Sequence, residues 1–194
     1  MKKPLAGLAL LLTTILTLAA CGTDDPADSA ADGGGGGFND ADVSFAQNMI
    51  PHHEQAVQMA QLAEGRASSP EVVELAAVIE AAQAPEIEQM TAWLEEWREE
   101  VPSGSMEHGD MGHGESSGMP GMMDAEDMEQ LETTSGPEWD EMFLTSMIEH
   151  HEGALAMART EQANGENEDA LALAEKVEAD QEAEIATMEE LLNS

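Results

Sequence analysis

A chain of 194 residues with 41 acidic and six basic side chains carries a formal charge of −35. Such a surface repels nucleic acid and anionic lipid headgroups and attracts cations. A single cysteine excludes a disulfide within the chain, and no Gly-x-Ser-x-Gly or phosphate-loop motif is present, which removes the commonest nucleophilic and nucleotide chemistries.

Met1-Lys2-Lys3 is a short basic start, residues 5–20 are almost wholly apolar, and Leu18-Ala19-Ala20-Cys21 closes the stretch. This succession marks residues 1–20 as a secretory signal rather than a structural helix. Its last four residues resemble the bacterial lipobox. That resemblance implies acylation of Cys21, export, and a lipid anchor on the extracytoplasmic face of the membrane. Loss of the signal removes two of the six basic residues, so 41 acidic side chains face four basic ones and the formal charge becomes −37. Residues 21–37 are mainly Asp, Ala and Gly and have almost nothing to bury. They read as a disordered tether with a reach of roughly 20–25 Å.

Residues 38–194 are long enough for one well-filled core. Asn39 or Asp40 caps a first helix expected to run to about residue 64. At 100° per residue, Phe45, Met49, His52, His53, Ala56, Met59 and Ala60 share one inward face. Pro51 falls on the opposite face and should bend the helix. After a turn at 65–69, Ser69-Pro70-Glu71 opens a second helix to about residue 99. Its inward stripe holds Leu75, Ile79, Ile87, Met90 and Leu94, but also Gln83 and Glu86. A carboxylate on a buried stripe needs a partner, and the histidines of the first helix are candidates. Residues 101–123 lose apolar periodicity and turn to Gly, Ser, Pro, Met and His. Asp124 opens a short helical piece to about residue 133, and helices at 138–164 and 168–192 complete the chain.

Those last two helices repeat the first two. Shifted by 98 positions, Met49-Ile50-Pro51-His52-His53-Glu54 returns as Met147-Ile148-Glu149-His150-His151-Glu152, and from Asp42 to Leu94 19 of 53 positions are identical without a gap. The chain is therefore an internal duplication, 38–100 and 137–194, around a crossover at 101–136. Each hairpin exposes one apolar stripe, so the pair should close into an all-α, ferritin-like four-helix bundle with a long crossover.

Four of the six histidines fall in the matched pairs. Imidazole suits copper and zinc, whereas thioether sulfur selects the soft cuprous ion. Met49 stands three and four residues before His52 and His53, and Met147 stands likewise before His150 and His151, so sulfur and imidazole share one helix patch. Glu86 and Glu184 are placed to orient the rings from outside the ligand set. Antiparallel packing of the first helix against the 138–164 helix would bring one histidine of each pair together, with Met49 and Met147 flanking. The competing reading is a core filled by methionine and a satisfied His/Glu polar layer. A second constellation, Met106-x-His108-x-x-Met111-x-His113, followed by Met119, Met122 and Met123, lies in the crossover, where methionines have no core to fill. Its competing reading is a low-complexity linker.

The 49–60 and 147–158 segments resemble the two signatures of the domain of unknown function 305 (DUF 305) family, and Met119-Pro120-Gly121-Met122 and the Asp140–Leu144 run resemble its inter-repeat segment. The resemblance implies a ferritin-like bundle, usually exported, with some members implicated in copper binding. The expectation is thus a lipid-anchored, non-enzymatic protein that binds copper, as Cu(I), for sequestration or handover to a protein partner. Zinc and iron stay open as metals, and oligomeric state is not set by the sequence. A ferritin-like di-metal redox enzyme is the first alternative; it wants a glutamate and Glu-x-x-His in each half, which these helices lack. A metal-free structural or interaction lipoprotein is the second.

Overall fold

A computed structural model describes residues 37–102 and 119–194. Within it α1 (Asp40–Gln61) and α2 (Pro70–Trp97) form one hairpin, and α4 (Pro137–Asn164) and α5 (Glu168–Leu192) form the other. A short α3 (Ala125–Thr133) ends the crossover and packs on α4 through buried Leu131, whose carbonyl accepts from Trp139 Nε1 at 3.0 Å. Among the described residues all regular structure is helical, in the layout expected of a ferritin-like bundle.

Local chemistry sets the helix ends. Asn39 caps α1 through the amides of Ala41 and Asp42, and Asp42 returns a bond to the Asn39 amide, which completes a capping box. Ser69, Asp124 and Asn167 cap α2, α3 and α5, while Gly136 and Pro137 open α4. The first two helices stop slightly short of expectation. α1 ends at Gln61 before the turn at Gly65 (φ +90°), and α2 ends where Arg98 takes a left-handed conformation at φ +63°. Pro51 sits inside a continuous α1, and Pro85 inside α2.

The hairpins meet chiefly through α1 against α4, running antiparallel. Each hairpin's turn is held by the other's first helix. Asp42 accepts from the amides of Glu166 and Asn167 at 3.1 and 2.9 Å; its repeat-mate Asp140 accepts from the amides of Ser68 and Ser69 at 2.9 and 3.0 Å and from the Ser68 hydroxyl. The matched atoms are again 98 positions apart, so the fold carries the duplication as a pseudo-two-fold. These buried carboxylates seal the ends of the bundle with charge-assisted bonds.

The core is divided. One apolar cluster joins Ala56, Met59, Leu75, Ile79, Trp139, Phe143, Met147 and Met188. The other joins Phe45, Met49, Ile50, Met90, Leu94, Ala154, Leu173 and Val177. Between them on the four long helices lie His52 and His53, Gln83 and Glu86, His150 and His151, and Gln181 and Glu184.

Candidate metal centre

Helical spacing of residues 52–53 and 150–151 aims two rings at the α1–α4 seam and two at the helices behind. All four histidines are fully buried. His52 and His150 face each other across the pseudo-axis, ring centroids 3.8 Å apart and tilted by 41°. His53 and His151 turn the other way, each placing Nε2 against a carboxylate: His53 on Glu86 at 2.8 Å, His151 on Glu184 at 2.7 Å. The facing rings and the carboxylate-held rings are therefore different histidines.

These contacts define tautomers. A carbonyl or carboxylate only accepts, so His53 and His151 donate from Nε2, and so does His52, whose Nε2 meets the Pro120 carbonyl at 3.1 Å. In each of the three, Nδ1 is buried and without a hydrogen-bond partner. Neither ring nitrogen of His150 makes a well-formed hydrogen bond. Burial, supplemented by the neighbouring histidines, holds His52 down to about 4, and the same causes hold His150 well below the usual imidazole range. Both facing rings are thus neutral near pH 7, the form in which imidazole binds a metal.

Among the described residues, eight buried side-chain nitrogen and oxygen atoms of this layer have no hydrogen-bond partner within the protein, those of Gln83 and Gln181 included. Buried polar atoms in this state are completed by ordered water or by a ligand. Among the described residues no three His, Cys, Asp or Glu side chains converge as a cage. Imidazole nitrogen suits copper and zinc, and the layer gathers four such rings with a carboxylate behind two of them. Met49 and Met147 are fully buried on opposite sides of the layer, one in each apolar cluster.

Several contributors escaped the sequence reading. Residues 119–123 cross the seam as a strap: Pro120 contacts His52, and Gln55 clasps Met123 by two bonds, Nε2 to its carbonyl at 2.9 Å and Oε1 from its amide at 2.8 Å. Gly153 and Gly121 make room for it; a Cβ on Gly153 would sit 1.9 Å from the Pro120 oxygen, and one on Gly121 2.3 Å from the Glu149 oxygen. Met123 packs against the first apolar cluster, so the expectation that crossover methionines have no core to fill is wrong for it. Lys176 binds Glu86 Oε1 at 2.8 Å from the other hairpin. Burial alone would raise Glu86, but His53 and Lys176 outweigh it and hold the carboxyl below its usual range. The clearest available signal was divergence between repeats: Gln55 matches Gly153, and Val78 matches Lys176. Met106, His108, Met111, His113 and Cys21 lie outside the described residues.

Size alone points elsewhere. A cavity of about 660 Å³ at one bundle end is lined by Ser69, Glu71, Asp140, Leu144 and Leu191, and none of the histidine layer.

Comparison with known proteins places this geometry. The family model described as "Domain of unknown function (DUF305)" matches residues 42–192. A DUF305 structure from Streptomyces coelicolor, described as a secreted protein, is 33% identical over 79% of this chain and 92% of its own, with a TM-score of 0.69. A DUF305 fragment from Deinococcus radiodurans is 30% identical over 80% and 97%, TM-score 0.68. CopM in its Cu(II)-bound form is 33% identical over 78% and 95%, TM-score 0.66, and its Cu(I)-bound form 31% identical over 78% and 95%, TM-score 0.64. No curated protein sequence matches the chain significantly. With the strap and all but the first two residues of the helical bundle inside the matched span, the chain belongs to the DUF305 family.

Proposed function

We propose that this protein binds copper as Cu(I) outside the cytoplasm, anchored through lipid on Cys21, and that it sequesters the ion or hands it on. The observation that carries the reading is the contact between His52 and His150. Two buried, neutral imidazoles face each other with unpartnered nitrogens, backed by two more unpartnered Nδ1 atoms. Support comes also from CopM, solved with Cu(I), Cu(II) and silver, and from the family member described as secreted. In this reading His52 and His150 hold the ion, with His53 and His151 as further nitrogen donors. Glu86 and Glu184 fix ring orientation and raise donor strength. Met49 and Met147 supply soft sulfur beside the layer, and Met106, His108, Met111 and His113 add capacity in the crossover. The bound ion supplies the cargo chemistry, and the chain supplies positioning and exclusion of water.

Anaerobic Cu(I) competition titration tests this. Because one shared site draws on both pairs, His52→Ala with His53→Ala should weaken binding nearly as much as replacing all four histidines, and by at least ~10-fold. Additive losses would indicate two independent sites. Unchanged affinity with intact helicity would leave only a buried polar layer. Deleting residues 106–113 should lower the number of ions bound and spare the tightest, since a free segment loses chain entropy on wrapping an ion. Iron loading followed by optical absorption separates the di-metal oxidase alternative, which requires charge-transfer bands.

A further inference from the structure

Gln83 and Gln181 occupy the same place in the two repeats, 98 positions apart. Each stands one helical turn before the glutamate of its layer, as Gln83-x-x-Glu86 and Gln181-x-x-Glu184, so amide and carboxylate share one inward face. They are 2% and 3% exposed. Neither amide atom of Gln83 has a hydrogen-bond partner within the protein, and nor has Oε1 of Gln181. Gln55 on α1, equally buried, is the contrast: the backbone of Met123 matches its amide on both sides. Where a glutamine holds this fold together, packing supplies its partners.

A buried amide without such partners weakens a fold, and an apolar side chain of similar size would be the more stable choice. What the amide offers instead is a dipole. A cation in this layer lies away from bulk water and needs oxygen atoms of the protein around it. Glu86 and Glu184 have already turned Oε2 to His53 and His151. The glutamine oxygens are uncommitted, and they can turn to a cation without adding net charge to the layer.

We infer, on the basis of the copper reading above, that Gln83 and Gln181 are dipolar partners of the bound ion. Their amide oxygens turn towards the cation when it enters, and they are held there for the ion and not for the fold.

The test reads stability and affinity on the same variants. Gln83→Leu removes two unpartnered polar atoms, so the melting midpoint of the metal-free protein should rise by roughly 2–8 °C. Anaerobic Cu(I) competition titration of the same variant should show a loss of about 10-fold, as for other groups that support a metal's ligands. Gln181→Leu should act in the same two directions. Gln55→Leu is the structural control, and its melting midpoint should fall. If the branched leucine misfolds the protein by circular dichroism, Gln83→Ala, which cannot clash, carries the affinity measurement. Cu(I) affinity within threefold of the parent, or a folded Gln83→Leu variant that melts below the parent as Gln55→Leu does, overturns the assignment and leaves the copper reading standing. A parent that binds no Cu(I) overturns both.

Discussion

Gly153 stands where the first repeat has Gln55, inside α4, and the strap passes directly over it. Alanine is the better helix former by about 1 kcal/mol, so intrinsic propensity alone makes Gly153→Ala stabilising. The tertiary structure reverses the sign. A Cβ there would lie 1.9 Å from the Pro120 oxygen and 2.6 Å from its carbon, distances that only displacement of the strap relieves. Displacement removes three hydrogen bonds, one from His52 to Pro120 and two between Gln55 and Met123. At about 1 kcal/mol each they outweigh the propensity gain and leave a net loss of about 2 kcal/mol. For a domain of this size that lowers the melting midpoint by about 4–8 °C. Urea and thermal unfolding of the metal-free protein measure it. Gly65→Ala serves as control: its added Cβ meets nothing within 4 Å, so only its φ of +90° matters, at about 1–2 kcal/mol. A Gly153→Ala variant as stable as the parent, or more so, would refute the docking of the strap on α4 and with it the positioning of His52 by Pro120.

Glu161 is raised to about 8 by burial first and then by its hydrogen bond to Asp42 and the charge of that residue. Its folded value lies above its unfolded one, so its stabilisation is complete below about 4.5 and is lost as pH rises through about 8. Glu161 borders a solvent-open cavity, so water screens part of the effect. Glu161→Gln should flatten the parent's loss of stability between about pH 4.5 and 8, and two parallel pH profiles would contradict it. Exhaustive chelation should leave high helicity by circular dichroism, because two apolar clusters hold the bundle on either side of the histidine layer; a largely unfolded apo protein would be inconsistent with that core. Cys21→Ser should move the protein out of the detergent phase on partitioning, and equal partitioning would mean that acylation at Cys21 does not hold it.

Much of this architecture was legible without coordinates. Periodicity put both histidine pairs on inward faces, and the duplication implied two hairpins. A glutamate on each buried stripe needed a partner, and the histidines were the obvious ones. These are local or symmetric inferences: a helix fixes which side chains share a face, and a repeat fixes that both halves do the same. What the sequence could not decide was which ring faces which partner, because that depends on how one helix rotates and slides against another. The structure pairs His52 with His150 and sends His53 and His151 to the carboxylates, a division that two adjacent residues on one helix do not reveal. Nor could it place Lys176 on Glu86, 90 positions away, or the Pro120 carbonyl on His52, 68 away. Those contacts lie where the repeats diverge, since identical halves specify the shared frame and only their differences break the pseudo-symmetry. The frame was written twice in the chain; the asymmetry of the site was settled by packing one copy against the other.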